Sequence, residues 1–73
     1  MSDAFACNWV EFKLRAKQFF DAAPTLDVDQ LDNMFKALSL SYLNMEEDMW
    51  RSSAASVMHM ASKTLMHRTE ELS

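Results

Sequence analysis

The most regular set of chemically capable side chains lies near the end of the sequence. His59, Lys63 and His67 are spaced four residues apart, so a helix would place them along one side. Paired histidines can ligate a metal, with a nearby methionine as a soft ligand. These two are separated by two helical turns, roughly 12 Å along the axis, which is too far to share an ion, and Lys63 between them would repel a cation. The spacing predicts a solvated helix edge and no metal site.

Seven methionines in 73 residues could also indicate soft-metal or haem ligation. Three of them share a stripe with leucines, as core residues do: Met34, Met45 and Met49. Three others are spread around the last helix, so a monomer should leave at least one exposed: Met58, Met60 and Met66. Methionine is flexible and common on adaptable binding surfaces. The pattern favours core and protein interface, and we expect no cofactor.

Few residues of the sequence are candidates for a catalytic group. Cys7 is the single cysteine, and a helix N-terminus can activate a thiol. No histidine is near it in sequence, and its helical neighbours Val10 and Leu14 are apolar, so we expect a buried, unreactive side chain. The serines lack a nucleophile-elbow motif, and the acidic run 46–48 has the character of charges at a helix start. We predict that the chain is not an enzyme and has no small-molecule substrate.

Nucleic acid is a weaker candidate partner than protein. The net charge is −4 and the isoelectric point about 4.9, which disfavours binding to phosphate backbones and to anionic lipid. A helix-turn-helix would place the acidic run 46–48 at the groove-facing end of its recognition helix, where it opposes phosphate. A small DNA-binding regulator that uses Lys13, Arg15 and Lys17 of the first helix stays open as the alternative.

The composition predicts one helical domain, residues 1–73. There is no glycine and one proline, so hairpin turns and phosphate-binding glycine loops are excluded. One cysteine and no leader pattern indicate the cytoplasm, and no apolar run is long enough for a membrane span. A chain this short buries only about 60% of its unfolded surface. With no disulfide or metal, oligomerisation or a partner is the remaining source of stability.

Capping residues and proline set the predicted helix boundaries. Helix 1 is expected from Ser2 or Asp3 to about Ala22, because the following Ala23-Pro24 cannot continue it. Helix 2 is expected after a capping box of Asp27 and Gln30, with Leu26 packing on Leu31 across the cap. The last helix should end near His67-Arg68.

Two apolar stripes follow, and they point in different directions. The first comprises Leu31, Met34, Phe35, Leu38, Tyr42, Met45 and Met49. The second comprises Trp50, Ala54, Val57, Met58, Ala61 and Leu65, roughly 140° away on an ideal helix. Asn44 and Glu47 resemble a further capping box, which favours a break near Asn44 and three helices. Leu40 and Leu43 align with the second stripe, which keeps one long helix open.

The predicted fold is an all-α bundle of three helices, or a short helix packed on a long one, completed by dimerisation. One face of helix 1 should pack on the first stripe, with a centre of Trp9, Phe12, Phe35, Leu38 and Tyr42. The reverse face carries Cys7, Val10 and Leu14, which calls for a second partner. The predicted partner or dimer interface is therefore Cys7, Val10, Leu14, Trp50, Ala54, Val57, Met58, Ala61 and Leu65.

The expected function is protein recognition. We predict a small acidic cytoplasmic regulator, adaptor or inhibitor that binds a larger protein as a homodimer. Such proteins are frequent among bacterial and phage accessory factors. Besides the DNA-binding alternative, a chaperone or antitoxin that shields a client segment stays open.

Overall fold

The computed structural model describes residues 8–71, and this part of the chain folds as three α-helices. They are α1 (Trp9–Ala22), α2 (Val28–Leu43) and α3 (Arg51–Glu70), with a short 3-10 turn at Asp48–Trp50 before α3. The predicted all-α, three-helix bundle is confirmed, and so is the break near Asn44. The single long helix is excluded.

A capping box at Asn8 starts α1. The Asn8 side chain accepts a hydrogen bond from the Glu11 N–H at 2.9 Å, and the Glu11 carboxylate accepts one from the Asn8 N–H at 3.3 Å. Because Asn8 itself is extended, the predicted start at Ser2 or Asp3 is wrong. The sequence contains the signal for the true start, an Asn with a Glu three residues later.

The turn from α1 to α2 lies where it was predicted, but its hydrogen bonds differ from the predicted ones. Helix α1 ends at Ala22, and the N–H of Leu26 donates to its carbonyl at 2.9 Å. Helix α2 begins directly after Asp27, but the Asp27 side chain makes no capping hydrogen bond, so the predicted box with Gln30 is wrong. The backbone carbonyl of Asp27 still accepts from Leu31 at 2.8 Å.

Asn44 closes α2 and does not open α3. Its side-chain amide donates to the Leu40 carbonyl at 2.8 Å, and its backbone N–H bonds the same carbonyl at 3.1 Å. The predicted capping box between Asn44 and Glu47 is therefore wrong, since the asparagine turns back to the helix it ends. Helix α3 also runs on to Glu70, past the predicted end at His67-Arg68.

The core lies between all three helices, and α1 runs antiparallel to α2. Phe12, Phe19, Leu31 and Leu38 are the large apolar side chains with almost no exposed surface. The predicted centre is confirmed for Phe12 and Leu38, whereas Trp9, Phe35 and Tyr42 are only partly buried and pack around it. Among residues 8–71, no helix is long and apolar enough to cross a membrane.

Candidate interaction surface

Helix α3 buries its apolar stripe against the chain's own core. Ala54 and Ala61 have no exposed surface, and the rest of the stripe is partly buried on the same cluster: Trp50, Val57, Met58 and Leu65. The break near Asn44 reorients α3, which lets this stripe face the first one. The prediction that Ala54 and Ala61 contact a second molecule is therefore corrected, because they are already covered.

The reverse face of α1 is left uncovered by the rest of the described chain. Val10 is 68% exposed and Leu14 58% exposed, at neighbouring positions on the side away from Phe12 and Ala16. Cys7, the third member of this predicted face, lies outside the described residues. The reverse face of α1 thus stays a candidate interface in this structure, whereas the α3 residues predicted for the same interface pack on the core.

Other exposed apolar side chains lie at the same end of the bundle. Leu40 and Leu43 are in the last turn of α2, and Met49 is in the 3-10 turn that follows. With Val10 and Leu14 they make up five of the seven large exposed hydrophobic residues in the described chain. We call this set the apolar end: Val10, Leu14, Leu40, Leu43 and Met49.

The sequence did not identify three members of the apolar end. Leu40 and Leu43 aligned with the α3 stripe only if the helix continued, and the break removes that alignment. Met49 was placed on the first stripe, but the chain has left α2 before reaching it, and the side chain is 76% exposed. Predicting that these three side chains are exposed would have required knowing where the helix breaks.

Contacts between distant residues hold the apolar end together. Glu47 accepts a hydrogen bond from the Trp9 backbone N–H at 2.8 Å, which fixes the start of α1 to the loop before α3. The Trp9 and Trp50 rings stack with centroids 5.4 Å apart and planes 8° apart. The Arg51 guanidinium lies over the Tyr42 ring at 5.6 Å and also donates to the Met45 carbonyl. The exposed side chains therefore project from a fixed frame.

The basic residues of α1 are engaged within the chain. Lys13 lies over the Trp9 ring at 5.6 Å, and Arg15 donates to the Ser41 hydroxyl at 2.8 Å. Lys17 pairs with Asp21 at 2.8 Å, and this hydrogen bond, together with the negative charge of Asp21, raises the pKa of Lys17. Each of these three cations therefore has a contact within the described chain.

The histidines of α3 remain on its exposed side. His67 lies 4.0 Å from the carboxylate of Glu71, one turn further along the helix. Within residues 8–71, no group of three His, Cys, Asp or Glu side chains is placed to hold a metal ion.

Comparison with known proteins adds no functional assignment. No protein-family model, no curated protein and no solved structure matches this chain.

Proposed function

We propose that this protein is a small interaction module, with no catalytic role, that acts in the cytoplasm by binding a larger protein as a regulator, adaptor or inhibitor. The observation that carries the proposal is the exposure of Val10 and Leu14 on the outer face of α1, within the apolar end. In a chain this short, apolar side chains left outside the core are expected to mark an association surface.

The same surface supports a homodimer. Burying an exposed Val or Leu side chain contributes about 1.5–3 kcal/mol when the burial is complete. Association costs about 4–15 kcal/mol in lost freedom, so one protomer's apolar end is a modest source of binding energy. A two-fold dimer buries the apolar ends of both copies against each other and doubles the contribution. It also adds to a core that is small for an independent domain.

A rigid frame favours binding through this surface. The Glu47–Trp9 hydrogen bond and the Trp9–Trp50 stack hold α1, the loop and α3 in one arrangement. Because these elements are already ordered in the single chain, less conformational freedom is lost on association. The apolar end is therefore able to bind without refolding.

The test is a capture experiment with charged variants. Val10→Glu and Leu14→Glu each place a carboxylate in the apolar end, and Asn33→Glu adds the same charge at an exposed position near the start of α2. Proteins of the source lysate that bind the wild type should bind Asn33→Glu equally and lose both apolar variants. Equal recovery of the same proteins on all four baits would contradict the proposal. Circular dichroism verifies that each bait keeps its helicity.

A further inference from the structure

The opposite end of the bundle contains a groove with a different chemistry. Its volume is about 470 Å³, and it lies between the end of α1 and the last turns of α3. Ala23 and Pro24 line one side, α3 contributes Lys63, Thr64, His67 and Arg68, and Glu71 follows directly after α3. One side of the groove is therefore apolar, and the other carries two cations, a histidine and one carboxylate.

Most of the helix that forms the charged side of this groove contains no acidic residue. The protein has a net charge of −4, yet residues 49–69 contain no Asp or Glu. All of α3 up to its last residue therefore carries only basic charges. Among the charges that line the groove, Lys63 and Arg68 outnumber the single carboxylate of Glu71, so the groove is more favourable to an anion than the acidic molecule as a whole.

Arg68 lines the groove and is anchored to the end of α1. Its guanidinium donates to the Ala23 carbonyl at the end of α1, and its side chain is only 20% exposed. That contact satisfies one of the carbonyls left free at a helix end. The Nε of this planar, always charged guanidinium lies 3.5 Å from the Glu71 carboxylate, and a planar set of donors suits a carboxylate.

The groove already has a carboxylate at one end. The Glu71 carboxylate lies 3.5 Å from Arg68 Nε and 4.0 Å from His67 Nε2. Glu71 is the residue that follows α3, and its side chain is 58% exposed. Ion pairs as exposed as this one contribute about 0–1 kcal/mol, so another carboxylate can displace it at small cost.

The other end of the groove contains a lysine side chain without an ionic partner among the described residues. Lys63 is two turns before Glu71 on α3, roughly 12 Å along the axis, and it forms no ion pair with any residue from 8 to 71. Its helical neighbours one turn away on either side are His59 and His67, neither of which neutralises it. Lys63 is therefore available to an anionic group that enters the groove.

We infer that the groove between the end of α1 and the last turns of α3 binds a carboxylate attached to a small apolar group. Lys63 and Arg68 pair with the carboxylate, Ala23 and Pro24 contact the apolar group, and Glu71 competes for the same cations. The carboxylate comes either from a small monocarboxylic acid or from the free C-terminal end of a peptide. This inference is independent of the apolar end.

Nuclear magnetic resonance titration of the labelled full chain tests the site. Isobutyrate is the probe, its neutral analogue isobutyramide is the control ligand, and a short peptide with a free carboxyl end ending in valine separates the two sources. Isobutyrate should cause saturable shifts at the Lys63, Thr64 and Arg68 amides, and isobutyramide should not. Tighter binding of the peptide than of isobutyrate identifies a chain terminus, and equal or weaker binding identifies a small acid.

Two variants distinguish the groove from general attraction to charge. Lys63→Gln should weaken binding and Glu71→Gln should strengthen it, each by about two- to fivefold, as expected for one exposed ion pair. Lys36→Gln removes an equal charge from α2, where Lys36 pairs with Asp32, and should leave the affinity unchanged. Absence of saturable shifts, or equal effects of Lys63→Gln and Lys36→Gln, would overturn the inference.

Discussion

At the scale of single residues, Glu47 connects parts of the chain that the sequence kept separate. Its charge looked like a local compensation for a helix start, but its carboxylate accepts from the Trp9 N–H of α1 at 2.8 Å. Nothing in a single sequence pairs residues 38 positions apart. By contrast, the burial of Phe12 and Leu38 was predictable, because each recurs with apolar neighbours at helical spacing.

Loss of the Glu47 carboxylate should loosen the start of α1. Glu47→Ala leaves the Trp9 N–H without this acceptor, and we expect the free energy of unfolding to fall by about 1–2 kcal/mol in urea titrations. Hydrogen exchange at the Trp9 amide should also accelerate. Glu46→Ala is the matched control, since Glu46 is exposed and should change stability little. Equal losses for the two variants would show that the hydrogen bond contributes nothing specific.

At the scale of elements, the positions of the helices could be predicted from the sequence better than the residues that cap them. Pro24 ended α1 and Asp27 preceded α2 as expected, because proline and N-cap preferences act locally. The start of α1 differs from the prediction because Asn8, and not one of the two earlier polar residues, caps this helix. The cap of α3 was misplaced because Asn44 bonds backwards to Leu40, and the same residue type serves both ends of a helix.

Helix α3 packs closely because two of its core positions are alanine. Ala54 and Ala61 are fully buried, so a larger side chain there must push α3 away from the core. We expect Ala61→Leu to lower the free energy of unfolding by about 1–3 kcal/mol, the usual cost of overpacking. Ala55 is exposed on the same helix, so Ala55→Leu should change the free energy of unfolding little, since alanine and leucine have similar helix propensities. A stabilised Ala61→Leu protein would mean that this position faces open space.

At the scale of the whole molecule, the bundle separates two kinds of surface. The apolar end carries most of the large exposed hydrophobic side chains, and the far end carries the cationic groove. The sequence predicted the two-sided α1 but assigned the α3 stripe to an interface, whereas this stripe packs on the chain's own core. Its location depends on the direction of α3 after the break, which is set by long-range packing and not by helical periodicity.

Self-association tests directly whether the apolar end is an interface. Sedimentation velocity should be measured for the wild type, Val10→Glu, Leu14→Glu and Asn33→Glu from about 5 to about 100 µM, the range of ordinary specific association. We predict a dimer for the wild type and for Asn33→Glu, and a folded monomer for both apolar variants. A wild type that stays monomeric throughout, or apolar variants that dimerise as it does, would contradict the account.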